Sequence, residues 1–524
     1  MRSPSRRTAF PAGAGVVALV PMGVMLALGL WGLDRRAMWR DEAATYVAAR
    51  RTVPQLWELL GTVDAVHGLY YVLMHAVLAV RADEIALRLP SVAAAVCTAG
   101  LVAATGHRLT GRRRAGIWAG LLYAATPMVG HYAQEGRSYA LVALGAALAT
   151  WLLIDAVERE VGDGGDVEGA CGGAGAGVAE GAGKADGAGT GDAAGRGARD
   201  AAGAGRWIAY GAVTSLTALT HVCAVLLLAA HAATLLAARV PGAVWRRWAP
   251  AAGAALAALL PLLLVSHGQA AQVSWIPVPG LPQARALLHG FAGPSGLVLT
   301  VNLLLAAVAL ARPPRPVGRL SVPAVALPLA LVPPVTLFAA SQREALFLDR
   351  YLFFALAGVP LLAAAGAERI ASALPSRRGT AAVGCVAIAA AFLWQLPLHA
   401  RERGPAARAD DLALAAAELG RATRPGDAVL YAPPYARRAA LAYPHQVAGL
   451  RDIALDADGP SSGTLYGREA ARGDLAARLA GEPRVWVLSE PGGVRGPKAR
   501  ALREGFRPVF ALCLAAGTLT LYAR

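Results

Sequence analysis

Long apolar stretches alternate with short polar ones along most of this chain. Runs rich in Ala, Leu and Val cover about Ala14–Leu33, Ile85–Ala104, Ala115–Val129, Tyr139–Ala156, Trp207–Thr220, Val222–Ala238, Ala249–Val265, Ala286–Leu310, Leu320–Ala340, Tyr351–Ala367 and Ala381–Leu396. A helix needs roughly 20 apolar residues to cross a bilayer, so these runs predict about eleven transmembrane helices. The apolar stretch Leu69–Val80 is too short to cross and reads as an interfacial or re-entrant helix. After about residue 400 the pattern changes. Asp410–Leu419 has the periodicity of an amphipathic helix, and 428–433, 484–490 and 518–524 read as strands. The expected fold is an α-helical polytopic membrane protein with a short interfacial helix and a small C-terminal α/β extracytoplasmic domain. The boundaries are 1–156 for the first half of the membrane module, with an external loop over 34–84, and 157–206 for a linker. The remaining spans occupy 207–399 and the C-terminal domain 400–524.

Composition agrees with a bilayer protein. Only 16% of the 524 residues are charged, against roughly 25% in an ordinary soluble domain. The net charge of +16 would suit a nucleic-acid binder, but the mean hydropathy of +0.46 does not, and position decides the matter. If the spans alternate from the basic N-terminus MRSPSRRTAF, then HRLTGRRR (107–114), RVPGAVWRRW (239–248), RPPRPVGR (312–319) and the loop with Ser376, Arg377 and Arg378 all fall on one side. The positive-inside rule makes that side the cytoplasm. No nucleic-acid partner is indicated. The Gly/Ala tract 162–205, dotted with charges, cannot bury a core and is expected to be a disordered cytoplasmic linker. Cys97, Cys171, Cys223, Cys385 and Cys513 form no CxxC pair, so neither a disulfide framework nor a zinc site is expected.

Ionisable residues at span ends are costly and tend to mark sites. Asp41 and Glu42 follow the first span and His67 precedes the short helix. Glu135 and Arg137 lie between the third and fourth spans, with Tyr139 opening the fourth, His221 ends the fifth, and Arg343, Asp349 and Arg350 lie between the ninth and the tenth, which Tyr351 opens. Taken singly each has an ordinary reading: a charged helix start for Asp41 and Glu42, a loop ion pair for Glu135 and Arg137, an interface anchor for Arg350 and Tyr351. All of them nevertheless fall on the outer face under a topology derived from loop charge alone. A carboxylate can take a proton from an attacking hydroxyl while arginines neutralise a leaving phosphate, which is group transfer. Asp41, Glu42 and His67 could also hold a divalent cation, though no spacing specifies a metal site.

The strings WRDEAATYVAARR, HGLYYVLMHAVL and EIALRLPSVAAAVCTAGLVAATGHRLTGRRRAGIWAGLLYAATPMVGHYAQEGRSYALV resemble the N-terminal half of the GT-C membrane glycosyltransferases. Within them the closest likeness is to the bacterial family 39 type, related to protein O-mannosyltransferases and the lipid A aminoarabinose transferase. The resemblance spans about residues 10–240, with later matches at 220–231 and 349–366. It implies an inverting enzyme that takes a hexosyl unit, mannose among the candidates, from a polyprenyl-phosphate carrier to a lipid, glycan or protein acceptor outside the bacterial cell membrane. It places the essential acidic residue on Asp41, with Glu42 beside it, and donor-phosphate and substrate contacts on His67, Glu135, Arg137, Tyr139, His221, Arg350 and Tyr351. The family's His-Pro-Pro-Leu is His-Gly-Leu here (67–69), and Thr-His-Tyr is Thr-His-Val (220–222). A transporter or lipid flippase is the rival reading. It expects polar groups at helix breaks near mid-membrane, for which Pro261 and Pro333-Pro334 are the best candidates. A scaffold without activity is the third.

Overall fold

The computed structural model describes residues 14–172, 188–313, 316–374, 377–404, 407 and 410–524. All eleven predicted apolar runs fall on helices. Among the described residues six helices are long and apolar enough to cross a membrane, or seven if one sharply bent pair is a single span. The chain is an integral membrane protein by this measure. Several other apolar helices are shorter, Ala14–Leu30 among them. Close approach is achieved with small residues: a Cβ on Gly116 would stand 2.5 Å from the Ala103 carbonyl oxygen, so the helices Glu84–Thr110 and Arg113–Ala125 touch backbone to backbone.

The structure corrects one expectation of local continuity. The run Ala286–Leu310 is two helices, Leu281–Ala292 and Gly296–Ala311, meeting at 76°. Gly293 has φ 144°, Pro294 cannot continue the helix, and Ser295 restarts it by accepting from the Val298 amide at 3.3 Å. The stretch after Asp41 is likewise two helices, Arg40–Ala49 and Val53–Thr62. Thr52 and Gln55 form a capping box and Pro54 takes the first turn, which bars Val53 from continuing the earlier helix. In the Gly/Ala tract, helix is assigned as far as Gly172 and again from Ala188; residues 173–187 of the expected linker lie outside the described residues. The short apolar stretch forms the helix Gly68–Val80, about 20 Å long at 1.5 Å per residue.

The C-terminal domain contains the three expected strands, β1 (Ala428–Ala432), β5 (Arg484–Ser489) and β7 (Gly517–Ala523), and four more: β2 (Arg451–Asp452), β3 (Leu455–Ala457), β4 (Arg468–Glu469) and β6 (Arg507–Leu514). The main sheet has the order β2-β1-β5-β7-β6. β1 pairs in parallel with both β2 and β5, while β7 is antiparallel to β5 and β6. The expected amphipathic helix is Leu412–Ala422, capped by Asp411. One face of the sheet shares a core with the first loop: Tyr46, Leu59, Tyr70 and Met74 pack with Leu419, Val429, Trp486 and Leu519. Polar contacts add to the weld. The Arg40 amide and Nε donate to Asp410 at 3.0 Å, Arg51 Nη2 donates to the Thr464 carbonyl at 2.6 Å, and Tyr443 Oη donates to Glu84 at 2.9 Å. The domain therefore sits directly on the loop that carries Asp41.

Candidate active site

The first loop, the turn before the helix Tyr139–Gly172 and the segment around Arg350 converge at one end of the bundle. Arg137, 5% exposed, donates from Nη1 to the Asp41 carbonyl at 3.2 Å and to Thr45 Oγ1 at 3.1 Å. Its Nη2 lies 2.7 Å from His67 Nε2. A guanidinium can only donate, so His67 Nε2 accepts and the proton sits on Nδ1. That Nδ1 is buried without a hydrogen-bond partner. Arg350 approaches from the far part of the chain, its Nη2 4.0 Å from Asp41 Oδ2, and its guanidinium lies over the rings of Trp275 and Tyr351, 5.7 Å from each centroid. Aromatic rings line the corner: His221 stands 4.7 Å from Tyr351, 5.7 Å from Tyr139 and 6.1 Å from His67, centroid to centroid.

The neighbouring acids Asp41 and Glu42 have opposite surroundings. Helical geometry turns their side chains about 100° apart. Glu42, 1% exposed, accepts from Arg88 Nε and Nη2 at 2.8 Å each and from the Gly136 amide at 2.8 Å. This bidentate pair is closed, and it locks the first loop to the helix Glu84–Thr110 and to the Gly136 turn. Asp41 keeps a side chain 25% exposed. Burial pushes its carboxyl above the usual aspartate value in spite of Arg137 and Arg350, and Glu135 and Asp64 push it further. Burial, reinforced by Arg137, His221 and Arg350, holds the His67 imidazole well below its ordinary value, so it stays neutral.

Of the nine residues that the sequence resemblance assigns to the site, Asp41, His67, Arg137, Tyr139, His221, Arg350 and Tyr351 meet in this corner. Glu42 points away from it, its carboxylate held by Arg88 and the Gly136 amide. Glu135 is 1% exposed and lies behind Arg137, its Oε2 3.4 Å from His131 Nε2. The metal set Asp41, Glu42 and His67 is not assembled: Glu42 is taken by Arg88, His67 Nε2 by Arg137, and among the described residues no group of three His, Cys, Asp or Glu side chains could hold a metal ion. A divalent cation does not fit these residues, and no step is routed through one. Sequence reading missed Asp64, Tyr71 and Trp275. Asp64 adopts φ 55° and accepts from Tyr71 Oη at 2.9 Å. Its position three residues before His67 in the same loop was the available signal.

An integral membrane helical bundle, roofed by an α/β domain over a corner of one carboxylate and two arginines, is the class defined here. The family model described as dolichyl-phosphate-mannose-protein mannosyltransferase matches residues 66–177. The crystal structure of ArnT from Cupriavidus metallidurans in the apo state superposes with a TM-score of 0.59 at 13% identity, covering 96% of this chain and 97% of that one. The structure of the same protein bound to undecaprenyl phosphate gives 0.59 at 14%, with the same coverage. No curated protein matches the chain. The chain shares the fold of these ArnT structures.

Proposed function

We propose that the protein is a membrane glycosyltransferase that moves a hexosyl unit from a polyprenyl-phosphate carrier to an acceptor hydroxyl at the extracytoplasmic face. One observation carries the reading: Asp41 lies in a corner with two guanidinium groups, and its carboxylate meets one of them, Arg350, only at 4.0 Å. In the reaction the acceptor oxygen attacks the anomeric carbon and forms the new C–O bond. The bond from that carbon to the phosphate oxygen breaks, and its electron pair leaves with the phosphate. The acceptor proton passes to Asp41, whose raised pKa makes it a better base than an ordinary aspartate. Arg350 and Arg137 stabilise the charge on the leaving phosphate, and the neutral Nδ1–H of His67 is a spare donor for the same oxygens. Displacement from the opposite face inverts the anomeric centre. Mannose is the hexose favoured by the name of the matching family model, and undecaprenyl phosphate in a structure of similar fold supports the carrier.

The rival transporter reading has the bent helix pair in its favour. The cavity of about 480 Å³ beside that bend is lined by residues such as Trp118, Leu122, Val298 and Ile388 and by no charged side chain, which suits a hydrocarbon chain rather than a polar cargo. Release of labelled sugar from polyprenyl phosphate by the purified protein, measured with and without acceptor, tests the proposal. Acceptor-dependent release supports it, and movement of lipid across a vesicle without sugar release favours the transporter.

A further inference from the structure

The C-terminal domain holds a second cavity, of about 490 Å³, with no role in the chemistry above. Its place in the fold is informative. The chain leaves β1 toward β2 on one side and leaves β5 toward β6 and β7 on the other, so the parallel pair β1 and β5 flanks the point where the strand order reverses. Open α/β sheets bind ligands in the crevice beyond the carboxyl ends of such strands. The walls of this cavity are the segments just past those ends, Ala432–Tyr435 and Glu490–Lys498.

Its charges are unevenly matched. Glu490 accepts from Arg438 Nη2 and from Tyr435 Oη at 2.8 Å each. Glu469 is held by Arg437 at 3.0 Å and by Lys498 Nζ at 2.6 Å. The acids of the floor are thus neutralised by neighbouring cations. Arg472 and Arg495 are exposed at the cavity, and among the described residues neither has a carboxylate partner. Arg472 opens the helix Arg472–Ala480, and Arg495 caps the helix Gly496–Arg503. The first turn of the helix at Arg472 carries Asp474, whereas the helix after Arg495 has no acidic residue in its first turn to offset that cation. Tyr435, 39% exposed, presents a ring to the same space, with Arg438 5.2 Å from its centroid, and such a ring offers an apolar face to the C–H groups of a pyranose.

From the cavity and its charge balance we infer that the cleft between β1 and β5 binds an acidic saccharide, carrying a carboxylate or phosphate.

The test is calorimetric titration of the full chain in lipid nanodiscs with three probes: a uronic-acid trisaccharide, a neutral trisaccharide of the same size and a hexose phosphate. Inorganic phosphate serves as the bare anion. One or both acidic sugars bind at least tenfold more tightly than the neutral one, and the sugar that binds identifies the source of the charge. The pair Arg472→Ala and Arg495→Ala weakens that binding at least tenfold. Arg500→Ala, on the same helix outside the cavity, leaves it unchanged, and so does Asp41→Asn. Equal binding of neutral and acidic sugars, no saturable binding of either acidic sugar, inorganic phosphate binding as tightly as the hexose phosphate, or an unaffected double variant overturns the inference. Loss of the cleft inference with acceptor-dependent sugar release intact leaves the proposed function standing. Binding without any transfer does the reverse.

Discussion

The two ends of the helical bundle treat their arginines differently. At the end bearing the basic loops, Arg108 meets Asp155 at 3.0 Å and Glu158 at 2.9 Å. There Arg114 grips Glu368 with two bonds of 2.6 and 2.9 Å, and Arg247 meets Glu160 at 3.0 Å. At the other end Arg137 spends its bonds on a carbonyl, a hydroxyl and a neutral imidazole, while the Arg350 guanidinium stands 4.0 Å from Asp41 Oδ2. Closed pairs hold helices together, whereas cations left incompletely neutralised in a buried corner have affinity to spare for an anion. The Arg88–Glu42 pair shows that both kinds exist at the first-loop end, one residue apart.

That contrast can be broken most severely at Asp41. Asp41→Asn lowers transfer by about 10³-fold, the order expected for loss of a general base, while the protein inserts and melts as before; full turnover in a lipid-linked sugar assay rejects the open-site reading. Next is the closed pair beside it. Arg88→Met strands a buried carboxylate and costs about 3–5 kcal/mol of stability, read as a lower melting temperature in detergent. Replacing Glu42 by Gln at the same time recovers part of that loss.

Arg350→Ala is a smaller change, about 10²-fold in turnover from a missing phosphate-stabilising charge, with melting nearly unaltered. The mirror experiment at the opposite end, Arg114→Met, strands the buried Glu368 carboxylate, costs about 3–5 kcal/mol and leaves turnover per folded molecule unchanged. A kinetic defect there equal to that of Arg350→Ala would erase the distinction between the two ends. The finest probe is pH. In the proposed mechanism Asp41 acts when deprotonated, so turnover falls as pH drops through its pKa, and the acid limb lies above the ordinary aspartate value because burial raises it. Glu135→Gln removes a negative charge that raises Asp41 further and shifts that limb to lower pH; a limb that stays put or moves up contradicts the electrostatics.

Much of this was written in local pattern. Apolar runs marked each of the six helices that, among the described residues, are long and apolar enough to cross a membrane, because span length and composition are properties of contiguous residues. Alternation found β1, β5 and β7, but not β6, whose eight residues are largely exposed at the sheet edge, so no buried face imposes a period. Asp41, His67, Arg137, His221 and Arg350 were legible as charged or polar residues at span ends.

The sequence by itself determined that the chain carries repeated helices apolar enough to cross a membrane and that a small α/β domain follows. Only the tertiary structure decided which of two adjacent acids remains open. Glu42 is closed by Arg88, 46 positions away, and by Gly136, 94 positions away, and no local rule reports which partner a side chain will find. The same holds for Asp64 in the corner, for the 76° break after Ala292 and for the seat of the C-terminal domain on the first loop. Each is fixed by contacts between segments that are remote along the chain, where geometry rather than composition selects the bond.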